Sequence, residues 1–169
     1  MVAFATVSFT NYVEVMRFDG VDWHYLGYGQ LPCELRDGWQ PDVEVHGSRV
    51  LVAFKSVSPL GLSVVEYNTS HNVWHFLGGE GHVWANPNDY VLKISSDGVP
   101  HILIDDDDAD ITVLLAYVDG TWQQLGPHLD PLLLNLDFGA VSDKHDLPSL
   151  ALHSDGTPYA AFRMRNGGA

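Results

Sequence analysis

Five carboxylates crowd one short stretch of this chain: Asp105, Asp106, Asp107 and Asp108 in an unbroken run, then Asp110 after a single alanine. Asp106, Asp108 and Asp110 fall at alternate positions, and carboxylates so spaced on a loop suit a hard, oxygen-seeking cation such as Ca²⁺. A helix-loop-helix calcium loop asks for glycine after its third acid and for a later glutamate. Ile111 stands there instead, so a solvated acidic loop is the competing reading. No other cofactor is expected. The chain holds nine histidines, of which His82, His128 and His145 fall in connections that could converge, but none has the spacing of a zinc motif.

A second constellation is aromatic. Trp39 and Trp84 sit among turn residues, with Asn86 and Asp89 close behind Trp84 and Asp37 and Asp42 around Trp39. A ring in such a place can stack on the apolar face of a sugar while nearby amides and carboxylates bond its hydroxyls. The same ring can instead plug a gap between neighbouring sheets. Catalytic signatures are missing from the sequence: it has no Gly-x-Ser-x-Gly elbow, phosphate loop or dinucleotide fingerprint. The expectation is therefore a non-catalytic binding module. The alternative is a fragment of a glycoside hydrolase using two loop carboxylates, whose pairing in space a sequence does not reveal.

The elements that would carry these residues repeat. Phe18 to Trp23, Tyr67 to Trp74 and Tyr117 to Trp122 each read as an aromatic, a turn and a tryptophan, and each copy closes on Leu-Gly at 26–27, 77–78 and 125–126. The period is roughly 50 residues, in the range of propellers and repeat arrays. Alternating apolar and polar residues between Gly, Asp, Asn and Pro punctuation predict short antiparallel strands. Four strand types recur, A to D. The A strands are Val43–His46, Tyr90–Ser95 and Ser149–His153, and the B strands Val50–Phe54, His101–Ile104 and Tyr159–Phe162, with Val2-Ala3-Phe4 as a further B strand. The C strands are Val13–Phe18, Ser63–Tyr67 and Ile111–Tyr117, and the D strands carry Trp23, Trp74 and Trp122. Connections from B to C and from D to A are expected to be long and diverse. They would share one end of each sheet, where binding residues can vary without disturbing the core.

Four-stranded units at this period resemble the blades of β-propellers of the WD40, kelch and lectin types, and Asp119-Gly120-Thr121-Trp122 is similar to part of a sialidase-type Asp box. The resemblance implies an all-β fold, a partial β-propeller of about three four-stranded antiparallel blades. It would occupy 1–169 as one unit, with repeats at about 1–27, 42–78, 90–126 and 149–169, the first and last incomplete. Three blades are too few to close a ring of the usual ~4–8. The terminal A-B pair lacks C and D, so the expectation is a homodimer in which two copies complete a six-bladed ring. A piece cut from a longer array is the rival explanation.

Composition narrows the partners. A formal charge of −14 opposes binding to a nucleic-acid backbone or an anionic membrane, leaving a glycan, a protein or a second copy of the chain. Cys33 is the single cysteine, which excludes a disulfide within the chain. No signal peptide is visible, and no apolar run approaches the ~20 residues of a membrane-spanning helix.

Overall fold

A computed structural model of the chain describes residues 2–7, 13–27, 41–57, 59–85, 87–106, 109, 111–129 and 145–164. These residues form antiparallel β-sheets and contain no helix. Strands β1 (Val2–Val7), β2 (Val13–Phe18) and β3 (Trp23–Tyr25) make a three-stranded sheet. A four-stranded sheet follows from β4 (Asp42–His46), β5 (Arg49–Val57), β6 (Leu60–Asn68) and β7 (Val73–Phe76). A second four-stranded sheet holds β8 (Asp89–Ile94), β9 (Pro100–Asp106), β10 (Ile111–Val118) and β11 (Thr121–Gln124). A pair, β12 (His145–Leu152) and β13 (Pro158–Met164), ends the series. Within every sheet the strands lie in chain order, so each is a simple meander.

The turns follow from local chemistry. Asp119 and Gly120 both have positive φ, 51° and 79°, the conformation a two-residue hairpin needs to match strand twist, and Val118 pairs with Thr121 across them. At the equivalent turn of the first sheet, the Asp19 carboxylate accepts the N–H groups of Val21 (2.8 Å) and Asp22 (3.0 Å). Connections from B to C strands are shorter than expected: β5 ends at Val57 and β6 begins at Leu60. Adjacent antiparallel strands need only a hairpin. A D strand and the next A strand belong to different sheets, so the long connections are those from Tyr25 to Asp42, Phe76 to Asp89 and Gln124 to His145.

The chain divides into two compact units, Met1–Ala85 and Asn86–Ala169, with the boundary between β7 and β8. In the first unit Val13, Val15 and Leu26 from the β1-β2-β3 sheet meet Val50, Val52, Phe54 and Val65 from its neighbour, with Tyr67, Trp74 and Phe76 packed alongside. Side chains alternate across a strand, so Met16, Phe18 and Trp23 occupy the other face of the first sheet. The tryptophan pairs are built alike. Phe18–Trp23, Tyr67–Trp74 and Tyr117–Trp122 are cross-strand partners, each with ring centroids 5.2 Å apart and tilted. All three tryptophans are expected to pack between sheets. Trp74 does so, its indole N–H donating to the Leu26 carbonyl at 3.3 Å, whereas Trp23 is 41% exposed. In the second unit Leu103 and Leu114 of β9 and β10 meet Leu150 of β12, with Val91, Leu129 and Leu152 packed against them.

Two outcomes follow. Phe54→Ala empties the centre of the first unit's core and is expected to cost about 3–5 kcal/mol in urea unfolding; a loss under about 1 kcal/mol would show that the two sheets do not share that core. Hydrogen bonds from the Asp22 and Val21 N–H groups and from His24 lower the Asp19 pKa to about 2. Because the folded value lies below the unfolded one, the turn's stabilisation is full above the ordinary carboxylate pKa of about 4 and fades as pH falls toward 2. The Val21 and Asp22 amide resonances should therefore move in that window; movement only near the histidine range, about pH 6.5, would overturn the assignment.

Candidate functional site

The loops that differ most between repeats share one end of each sheet, and polar side chains collect there. In the second unit Asp89 of β8 pairs with Asp105 of β9, and Asp105 pairs with Thr112 of β10. Direct partners in an antiparallel ladder point to the same face, about 4.5–5.5 Å apart at Cα, so the three form one row across three strands. The row borders the face carrying Leu103, Leu114 and Val91, and the Leu129 N–H donates to the Thr112 carbonyl at 2.8 Å. Thr112 Oγ1 donates to Asp105 Oδ1 at 2.9 Å, with both residues 1% exposed. Asn88 N–H donates to the Asp105 carbonyl at 2.7 Å and fixes the entry to β8. Two carboxyl groups opposite each other in a sheet disfavour one another, and a buried hydroxyl donor beside one of them offsets part of that cost. Asp89 is half-buried, and its Oδ1 accepts the Tyr90 N–H.

The acidic stretch expected as an open loop is partly strand. Asp105 and Asp106 end β9 and are buried, and Asp106 Oδ1 accepts the Ala109 N–H at 3.0 Å, closing a tight turn. A carboxylate at a strand end is the natural acceptor for the first amides of the turn that follows. Asp108 and Asp110, the other two residues of the expected Ca²⁺ set, lie outside the described residues. Among the described residues no group of three or more His, Cys, Asp or Glu side chains is arranged to hold a metal ion.

In the first unit the same end is tied by serines. Ser56 Oγ donates toward the carbonyls of Pro59 (2.8 Å) and Gly61 (3.0 Å) and lies 3.3 Å from Ser63 Oγ, which accepts the Gly81 N–H at 2.7 Å. Leu62 N–H donates to the Trp84 carbonyl at 2.7 Å, and Val83 N–H to the Leu62 carbonyl at 3.0 Å. The backbone of Trp84 thus lies against β6 as a one-residue bridge, with its residue half-buried. The approach is close enough to demand glycine: a Cβ on Gly61 would stand 2.9 Å from the Trp84 carbonyl oxygen. Lys55, 1% exposed, precedes Ser56 in the same strand.

Of the residues expected to bind a ligand, Trp84 therefore sits at the loop end of the first unit and Asp89 at that of the second, while Trp39 and Asn86 lie outside the described residues. Thr112, Ser56 and Ser63 were not among the expected residues. Their one sequence signal is a hydroxyl residue where an apolar one would continue the strand's buried face.

No protein-family model and no curated protein matches the chain. Several solved structures are similar to it, two of them a lectin and a galactanase. One is a fucose lectin from Kordia zhangzhouensis in complex with methyl-fucoside, at TM-score 0.52 and 11% identity over 75% of this chain and 90% of that one. The other is an exo-β-1,3-galactanase from Clostridium thermocellum, at TM-score 0.50 and 12% identity over 95% of this chain and 35% of that one. At these identities the likeness is one of fold, a β-rich arrangement of the lectin and propeller kind.

Thr112→Val keeps the shape of the row and removes its hydroxyl. The expected cost is about 1–3 kcal/mol in denaturant unfolding followed by tryptophan emission, and an unchanged midpoint would mean that the Thr112–Asp105 bond contributes nothing.

Proposed function

We propose that the chain is a carbohydrate-binding module built from propeller-type blades, without chemistry of its own, that works as a closed pair of copies. The observation that carries the binding reading is Asp89, half-buried at the loop-bearing end of the second unit and set in register by the buried Asp105–Thr112 pair beside it. A sugar offers such an end its counterpart: hydroxyls for the Asp89 carboxylate and an apolar C–H face for an aromatic ring. The likeness to a fucose lectin over most of that lectin's length supports a glycan as the ligand class. Trp84 and Asp89, each at the loop end of its own unit, are contacts assigned from the sequence, together with Asn86 between them in the chain and Trp39 in an earlier connection.

The closed pair rests on strand counts. Among the described residues the last sheet has A and B strands, and the first has B, C and D. The C and D strands of one copy fit beside the A and B strands of another, which makes six blades from two chains. β1 covers the edge of β2 that β13 of the partner would take, so closure exchanges one for the other.

A second reading, a piece of a glycoside hydrolase, draws on Asp89 and Asp105 facing each other and on the likeness to a galactanase, of which this chain spans 35%. Burial of Asp105 weighs against it, since a catalytic acid must reach the glycosidic bond.

A glycan array followed by calorimetric titration with fucosides and galactosides tests the choice. Saturable binding that weakens about tenfold or more in Trp84→Ala or Asp89→Asn is expected. Steady turnover of a chromogenic glycoside would favour the hydrolase instead, and neither binding nor turnover across the array would end the carbohydrate reading.

A further inference from the structure

We infer that His82 and Glu80 are contacts of a glycan site at the loop end of the first unit, and that together they select an uncharged pyranose. The inference rests on the carbohydrate reading above and names the residues that would set its specificity. The segment after β7 is built to hold these two side chains. Gly78, Gly79 and Gly81 have left-handed φ, 85°, 103° and 67°, and turn the chain back along β6. The return is fastened twice, by the Gly81 N–H to Ser63 Oγ at 2.7 Å and by the Val83 N–H to the Leu62 carbonyl at 3.0 Å. Gly81 and Val83 are buried, whereas His82 between them is exposed and Glu80 is half-exposed.

Gly79 serves twice. Its φ alone calls for glycine, and a Cβ there would stand 2.5 Å from His82 Nδ1. The imidazole therefore lies directly against the bare α-carbon, in a space that a side chain at 79 would take. An exposed ring seated in this way loses little further freedom when it meets a ligand.

Apolar surface adjoins the pair. The Pro59 ring packs on Gly81, where a Cβ would lie 2.9 Å from Pro59 Cγ, and Leu60 beside it is 48% exposed. Half-buried Trp84 follows two residues after His82. Neighbouring hydroxyls on a pyranose both donate and accept; a carboxylate accepts, and an imidazole nitrogen donates or accepts according to its tautomer. The C–H face of the same ring suits proline, leucine and indole. A sugar carrying its own carboxylate would meet the like charge of Glu80, which costs affinity.

Calorimetric titration of the full chain with methyl fucoside, methyl galactoside and methyl galacturonoside tests this. The wild type is expected to bind a neutral glycoside at least about tenfold more tightly than the galacturonoside. His82→Ala should raise the dissociation constant for the neutral sugar about tenfold without moving the unfolding midpoint, and Gly79→Ala should add nothing in that background. Glu80→Gln should narrow the gap between galactoside and galacturonoside. On saturation the His82 imidazole C–H resonances should move, which a ring with a purely structural role would not show. Neutral-sugar binding that falls in Trp84→Ala but is indifferent to His82→Ala and Glu80→Gln would remove these two contacts and leave the carbohydrate reading standing. A galacturonoside bound as tightly as the galactoside would overturn the selection. Binding of none of the three would end the inference, while the wider array decides the carbohydrate reading by itself.

Discussion

Burial on both faces of a sheet is the constraint from which the rest of this structure follows. β9 is buried at all seven residues, and β5 is buried from Val50 through Ser56. A strand of that kind exists in water only if its sheet is covered on each side. In the first unit one cover is visible: the β1-β2-β3 sheet lies over Val52 and Phe54, and Trp74 seals the margin against Leu26. In the first unit the aromatic step at the end of β6 thereby becomes the clamp between its two sheets. Its repetition at 5.2 Å in three places is the geometric trace of one packing solution used again.

The strand layout was legible because the repeat writes it three times. Trp23, Trp74 and Trp122 mark the same place in each meander, and Asp119-Gly120 announces a hairpin whose φ values are those its residue types require. The environments of the tryptophans were not legible, since Trp23 and Trp74 share a motif and differ only in what lies against them. The acidic run misled for a related reason. Four consecutive aspartates read as solvent-facing loop, yet Asp105 and Asp106 continue β9, their oxygens accepting from the Thr112 hydroxyl and the Ala109 amide. Composition reports polarity, and the fold decides whether that polarity meets water or a partner. The serines at 56 and 63 carry the same lesson: short hydroxyls amid apolar strands are where tertiary bonds form, and nothing in their spacing says to what.

The two loop ends solve one problem with different chemistry. In the first unit, hydroxyls and backbone amides hold the Trp84 segment flat on β6; in the second, a carboxyl–hydroxyl bond stands beside a leucine floor. A low-dielectric floor strengthens any hydrogen bond made above it and penalises one left unmade.

The strand order within each sheet has a consequence for how the chain reaches its native state. Every ladder joins neighbours in sequence, so no strand waits for a distant segment before it can zip. Hairpin-connected ladders of this sort close shorter loops than a sheet whose partners lie far apart in the chain. Each meander can nucleate by itself as it leaves the ribosome, from its own segment of the chain.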